Sequence, residues 1–411
     1  MTGQGPGPDV AVIGGGIIGC AAAAFLAEAG ARVRLYERIA IAAGASGRNS
    51  GIVQHPFDVV LAGLYRATIA EYRALAAGDA GFVIPAEPAG LLYVGREPEQ
   101  AQREAAAWAA SWPASRPEVL AAEELHRLEP ALAPDLVACR LAIGYPLPPA
   151  AATQAFAAVG ASHGVETVRR DARPAIVGGR AVGVRVDDRV EAAGAVLVAT
   201  GPSTPEIVDP TGSWRPIRPI WGVIASLALP GAPAHALEAA EIAIEPAEQS
   251  GTGVPAGDAA TGPEPAGRAD DRPRDQPSDD DVEFSLVPAD GSSALGSTFL
   301  PTEPDPRAWL AALRRVGVRY VPAVADAPLV GLRHCARPAS ADGRPLIGAI
   351  AGVAGLFVAA GHGPWGISTG PASARLVADL ILGRIGPAGV PEALDPARFG
   401  PVQRQASGSN M

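Results

Sequence analysis

The stretch Asp9-Val-Ala-Val-Ile-Gly-Gly-Gly-Ile-Ile-Gly19 leaves its part of the chain few conformational options. Its apolar residues suit a buried strand, its glycines a tight turn, and the Ala-rich residues 20–27 a packed helix. Arg32-Val-Arg-Leu-Tyr-Glu37 then reads as a second strand that ends in a carboxylate. Strand, glycine turn, helix and acid-terminated strand form the layout of a dinucleotide-binding βαβ unit. Gly14 permits the turn, Gly16 lets the backbone approach a diphosphate, and Gly19 lets the helix lie on the sheet. The diphosphate would rest on the helix N-terminus, where free N–H groups and the dipole favour negative charge. Glu37, 23 residues beyond Gly14, is placed to accept from a ribose 2′-OH.

A chain of 411 residues exceeds what one core usually organises, so two domains are expected. The net charge of −10 is concentrated, because residues 245–283 hold eleven acidic residues against three arginines, leaving −2 for the rest. No basic patch remains for nucleic acid or an anionic membrane. The same 39 residues contain six prolines and five glycines with few large apolar side chains. Too little surface can be buried there to offset ordering entropy, so this segment reads as a disordered acidic insertion, either a docking segment or a tolerated surface loop. Residues 1–8 and 400–411 are expected to be flexible termini.

Cys20, Cys139 and Cys335 form neither a zinc spacing nor a disulfide framework, which suits a reducing, cytoplasmic location and predicts no metal site. Residues 10–27 carry no charge, yet their glycine-rich centre and the absence of a preceding cationic region fit strand–turn–helix rather than a membrane span or signal peptide. Elsewhere periodicity predicts helices over 56–76, 98–111, 150–162, 305–317 and about 370–382. Ser368 or Thr369 is expected to cap the last of these, and Gly383 to end it. Strands are expected over 90–95, 165–170, 180–186, 195–201, 218–229, 282–287 and 356–361.

Three segments extend the nucleotide reading to a flavin. Gly44-Ala-Ser-Gly-Arg-Asn-Ser-Gly51 offers hydroxyls and exposed N–H groups soon after the Glu37 strand. Val196-Leu-Val-Ala-Thr-Gly201 is a late buried strand returning to the nucleotide. Gly361-His-Gly-Pro-Trp-Gly-Ile-Ser-Thr-Gly370 turns from a buried strand into a helix. Together these resemble the D-amino-acid oxidase family of FAD-dependent oxidoreductases, most strongly at 9–55, 190–205 and 331–383.

That resemblance implies an α/β fold, with a glutathione-reductase-type, Rossmann-like FAD-binding domain and an interleaved antiparallel-sheet substrate domain. The FAD-binding domain would comprise 9–75, 150–215 and 331–390, and the substrate domain 76–149 and 216–330. By the same likeness Gly14, Gly15, Gly16, Ile18, Glu37 and Arg38 hold the ADP half of FAD. Ser46, Gly47, Asn49, Ser50, Gly51 and Ile52 line the diphosphate, ribitol and flavin, while Thr200 and Gly201 close over the nucleotide. Gly361, His362, Gly363, Trp365, Gly366, Ile367 and Ser368 meet the isoalloxazine. A helix N-terminus there would favour the negative charge that reduced flavin carries near N1 and the C2 carbonyl.

The resemblance also implies that Arg337 grips a substrate carboxylate, within the frame Asp342, Gly343, Pro345, Ile347 and Gly348. A guanidinium fork suits the task because it binds both oxygens and fixes the α-carbon. His55 is either a base facing the flavin or a solvent-exposed residue before Pro56. Trp365 stands where sarcosine oxidase has a lysine, and joins Arg337 and His55 as a candidate in the catalytic pocket. Cys335 has the spacing from Asp342 at which sarcosine-oxidase-like members attach flavin covalently, but Arg337 and Trp365 depart from those members. Non-covalent FAD is therefore the expectation, with a Cys335 link as the alternative.

The expected activity is oxidation of a small carboxylate-bearing amino acid or secondary amine, with oxygen or a redox partner as final acceptor. Two alternatives stay open on the sequence: a 2-hydroxy-acid oxidoreductase using His55 as base, and a flavin-binding subunit that needs a partner. Oligomeric state is not read from the sequence.

Overall fold

The computed structural model describes residues 7–56, 58–240, 277–289 and 291–402. Strand β1 (Val10–Ile13) is apolar and buried at every position, as a strand covered on both faces must be. It pairs in parallel with β2 (Val33–Tyr36), which in turn pairs in parallel with β3 (Glu166–Val168). On its other side β1 pairs with β4 (Ala195–Val198). The sheet continues through β5 (Leu346–Ala349) and β6 (Leu356–Ala360), giving the order β5-β6-β4-β1-β2-β3. Only β5 runs against its neighbour.

Helix α1 (Ile17–Glu28) follows β1 through Gly14, whose φ of +113° excludes an ordinary L-residue. A Cβ on Gly19 would stand 1.9 Å from the Gly14 carbonyl oxygen, so the helix can start this close to the strand only without a side chain there. The short α2 (Ala45–Arg48), α3 (Val59–Ala77), α4 (Ala151–Ser162) and α5 (Gly366–Ile381) complete the surroundings of the sheet. Phe25 of α1 meets Phe156 of α4 edge to face at 5.4 Å, the arrangement aromatic quadrupoles favour.

These elements belong to one of two units, made of Met1–Ala86, Tyr145–Trp221 and Cys335–Met411. The other comprises Glu87–Gly144 and Gly222–His334. Residues 76–86, 145–149 and 216–221 thus fall in the nucleotide unit rather than the substrate unit. One cause is that α3 continues to Ala77, and Tyr72 on it packs against Phe82 at 5.5 Å. Residues 331–334 conversely fall in the second unit.

The second unit is built on an eight-stranded sheet, and on its second passage the chain enters and leaves the unit within the strands Ile217–Leu227 and Leu329–Ser340. Ala236–Ala239 runs antiparallel to Val282–Ala289 but parallel to Leu91–Gly95. The sheet is therefore mixed: mainly antiparallel, as expected, with a parallel pairing within it. Pro306–Gly317 is a helix capped by Asp305 and buries Trp309, Leu313 and Val316.

Several local expectations shift. Helix α3 begins at Val59 rather than 56, because Asp58 caps it by accepting from Val60 and Leu61 N–H groups. Helix α5 begins at Gly366, four residues early, and neither Ser368 nor Thr369 caps it. Most of the expected acidic insertion lies outside the described residues. Its last part, 277–283, is ordered: Asp279 pairs with Arg315 and Arg319, and a strand starts at Val282. The expected flexible termini 1–6 and 403–411 lie outside the described residues, whereas 7–8 and 400–402 are described. Among the described residues no helix is long and apolar enough to cross a membrane, and no group of three or more His, Cys, Asp or Glu is arranged to hold a metal ion.

Candidate functional site

The glycine turn and the loop after β2 are tied together directly. Ile17 N–H donates to Ser46 Oγ at 2.9 Å, so a residue 29 positions away satisfies one orphan donor of α1. Glu37 folds back on the turn, accepting from Gly15 N–H and Ile39 N–H, each at 2.7 Å. The carboxylate is thereby oriented, and each oxygen retains a second lone pair for a hydroxyl. Arg38 is exposed and Ile18 half-buried.

Asn49 acts as a clip. Its amide donates to Ser46 O, Ala45 O and Pro149 O, and its Oδ1 accepts from Gly51 N–H. Gly47 and Ser50 are half-buried beside it and Ile52 begins a two-residue strand. The backbone of Thr200 lies against the turn, because a Cβ on Gly14 would meet Ala199 O and Thr200 N. Thr200 Oγ1 bonds Thr204 Oγ1 at 3.2 Å, with Gly201 opening the following 3-10 turn.

At the same carboxyl end of the sheet, two strands from β1, Gly361 to Ser368 enters α5, with Gly363–Trp365 as a 3-10 turn. Ser368 Oγ accepts from Gln54 N–H at 2.9 Å, which explains why it caps nothing. Thr369 Oγ1 donates to Trp365 O. His362 is buried, and Nε2 meets Ser373 Oγ at 2.9 Å. Ser373 spends its single hydrogen on Thr369 O, so Nε2 must carry the proton. The Nε2 edge of the imidazole is thus engaged by α5. Burial lowers its pKa to about 3.

His55 is 3% exposed and lies edge to face with Tyr65 at 4.8 Å, which excludes the solvent-exposed alternative. Burial lowers its pKa to about 4, leaving it neutral near pH 7. Arg337 lies half-buried on Leu329–Ser340. Two positions on, Ala339 bridges His362, and two positions back, the Cys335 thiol donates to Arg48 O at 3.8 Å. The strand therefore runs from the α2 loop to the α5 turn with Arg337 between. Trp365 is half-buried as the residue before α5.

Sequence reading missed the residues that hold these parts in place. Asp58, besides capping α3, receives Arg344 at 2.9 Å. Arg398 grips Asp342 at 2.7 and 3.1 Å; although burial opposes ionisation, this pairing and the Arg344 N–H hold the carboxyl below its usual range. Tyr72 OH donates to Ile367 O at 2.7 Å. Pro371 inside an expected helix was the available signal for that last bond, since proline leaves a carbonyl one turn back without its donor.

The residues present fit FAD at its diphosphate end. The first turn of α1 offers backbone donors, and the face of Gly16 is kept bare: a Cβ there would come within 3.1 Å of Ser46 Oγ. A parallel sheet with a glycine turn leading into a helix, an oriented acid after β2 and a second mixed-sheet unit define a dinucleotide-binding flavoprotein architecture. The model of the family described as "DAO: FAD dependent oxidoreductase" matches residues 9–380, and the chain belongs to that family.

A glycine oxidase from Pseudomonas aeruginosa is 32% identical over 128 residues, 29% of this chain and 32% of that relative's length. The chain thus matches about a third of that curated protein. The crystal structure of a glycine oxidase from Bacillus cereus superposes with a TM-score of 0.74 at 20% identity, covering 97% of this chain and 99% of that one. An iminodiacetate oxidase from Chelativorans sp. BNC1 gives a TM-score of 0.74 at 23% identity, with 94% and 98% covered. At these identities the structural likeness is one of fold.

Proposed function

We propose that this chain oxidises a small amino acid or secondary amine bearing a carboxylate, at the carbon attached to nitrogen. The observation that carries the proposal is the placement of Arg337 two residues from Ala339, which bridges His362 in the turn that we read as meeting the flavin. FAD, when bound, supplies a two-electron acceptor at N5 that takes hydride from that carbon. Arg337 holds the substrate carboxylate with a guanidinium fork and so sets which carbon faces the acceptor. The chain needs no base for an amine that arrives neutral, and the imine product hydrolyses in water to a keto acid and ammonia or an amine.

The same geometry disfavours a 2-hydroxy acid, which needs a base for its hydroxyl proton. A His55 with a pKa near 4 is a poor proton acceptor at neutral pH. FAD is held non-covalently in this reading, with Cys335 a buried cysteine outside any disulfide. The three reduced, buried cysteines suit the cytoplasm, and oxygen or a redox partner reoxidises the flavin.

Mixing the purified yellow protein with amino, N-alkylamino and 2-hydroxy acids under argon tests the proposal. Bleaching by amines alone is expected, and bleaching by hydroxy acids alone would overturn it. Bound FAD that no substrate bleaches would favour a partner-dependent subunit. A peroxide assay in air identifies the acceptor, and yellow colour leaving the acid-denatured protein confirms that the flavin is not covalent.

A further inference from the structure

Helix α5 contains a defect one turn from its start. Pro371 has no N–H, so the carbonyl of Ile367 lacks its donor from within the helix. Ile367 is 8% exposed, too deep for solvent to serve that carbonyl well. An unpaired carbonyl in such a place costs as much as a lost hydrogen bond. The missing donor comes from elsewhere in the chain: Tyr72, fully buried on α3, donates its hydroxyl to Ile367 O at 2.7 Å.

Two further bonds reinforce the same turn. Thr68, one helical turn before Tyr72, accepts from the N–H of Ala372 at 3.2 Å. Ser368 accepts from Gln54 N–H at 2.9 Å. Three polar contacts across the first two turns thus fix the start of α5 to α3 and to the segment after α2. Burial pushes the Tyr72 phenol pKa up, so the hydroxyl remains a donor across the working range of pH.

The geometry points to Tyr72 as a positioning residue: its hydroxyl replaces the N–H that Pro371 lacks and so aims the turn Gly363 to Ile367 at the flavin. This rests on the reading, given above, that the turn meets the isoalloxazine. Tyr72 is fully buried and acts through the helix whose N-terminus, in that reading, faces the cofactor. A frayed first turn would present weaker donors to the charge that gathers at the flavin C2 carbonyl on reduction.

The test combines Tyr72→Phe, Pro371→Ala and the double variant, all as FAD-loaded proteins. Tyr72→Phe removes only the hydroxyl oxygen, so the ring packing is kept. It should weaken FAD binding about three- to tenfold, the worth of one buried hydrogen bond. It should also move the flavin midpoint potential to a more negative value. In the Pro371→Ala background residue 371 regains its N–H, and the effect of Tyr72→Phe on affinity, potential and melting temperature should shrink. Equal effects in both backgrounds would overturn the inference, since a purely packing role for Tyr72 does not depend on residue 371. An unchanged potential in a Tyr72→Phe protein that still binds FAD would overturn it as well, leaving the proposed function intact. Absence of FAD binding by the unmodified chain would instead overturn the reading of the site, and the link from Tyr72 to flavin with it.

Discussion

The two helix starts of the nucleotide unit reach the same end by opposite means. At α1 the approach is won by absence: Gly14 takes a φ of +113°, and Gly19 lies against the Gly14 carbonyl where no side chain fits. Two side chains from further along the chain, Glu37 on Gly15 N–H and Ser46 on Ile17 N–H, complete it. At α5 the approach is won by additions, with Gln54, Thr68 and Tyr72 bonded to Ser368, Ala372 and Ile367. Steric exclusion is all-or-none, whereas hydrogen bonds are graded and individually worth about 1 kcal/mol. The α1 end should therefore fail abruptly on mutation and the α5 end by degrees.

The largest effect is expected at the first end. Gly19→Ala places a methyl inside the Gly14 carbonyl, and the strand and helix must separate. The expected outcome is loss of FAD and of soluble protein, read by flavin absorbance after purification. A yellow, stable variant would break the contrast at once. Next comes Arg337→Ala, which deletes a charge-assisted fork worth about 3 kcal/mol and should raise KM for a carboxylate substrate about a hundredfold. Arg337→Lys should recover part of that loss, and an unchanged KM in steady-state assays would remove Arg337 from the site.

Acid provides a third test. His55 and His362 have folded pKa values of about 4 and about 3, below the ordinary 6.5. The unfolded chain therefore binds protons that the folded chain refuses. Stability is whole above pH 6.5 and falls as pH drops toward the folded values, by roughly 2 kcal/mol for each histidine at pH 5. Melting curves from pH 8 to pH 5 should show the decline, and His362→Gln, which keeps a donor for Ser373, should flatten it. A wild-type melting temperature that holds to pH 5 would count against both buried imidazoles.

The smallest effect is expected for Arg344→Gln, which breaks the ion pair with Asp58. Both side chains are partly exposed, at 38% and 29%, so the loss should stay below about 1 kcal/mol and shrink in salt. A larger fall in thermal stability would show that the charged chain through Asp58, Arg344, Asp342 and Arg398 carries more of this unit than its exposure suggests.

The uneven legibility of the two ends has the same root. Residues 9–37 could be read directly because turn, strand period and terminal acid are local patterns, each confined to a few neighbouring positions. The start of α5 was misplaced by four residues because Ser368 and Thr369 resemble caps by type alone. Which partner Ser368 takes is decided by Gln54, 314 residues away. His55 could not be sorted between exposed and buried for a similar reason: its neighbour in space, Tyr65, lies on a helix whose packing no local pattern describes. The parallel pairing of Ala236–Ala239 with Leu91–Gly95 joins segments about 145 residues apart, so an antiparallel sheet was the natural but incomplete expectation.

From sequence alone came the βαβ start, the family likeness and an acid at Glu37 ending the second strand, all consequences of backbone sterics and short-range periodicity. Tertiary structure alone decided that Tyr72 completes the helix broken by Pro371, that the Nε2 edge of His362 is engaged by α5, and that Arg337 lies between the α2 loop and the turn before α5. Those outcomes depend on hydrogen bonds and burial between distant segments, and a satisfied donor leaves no mark in the residues beside it.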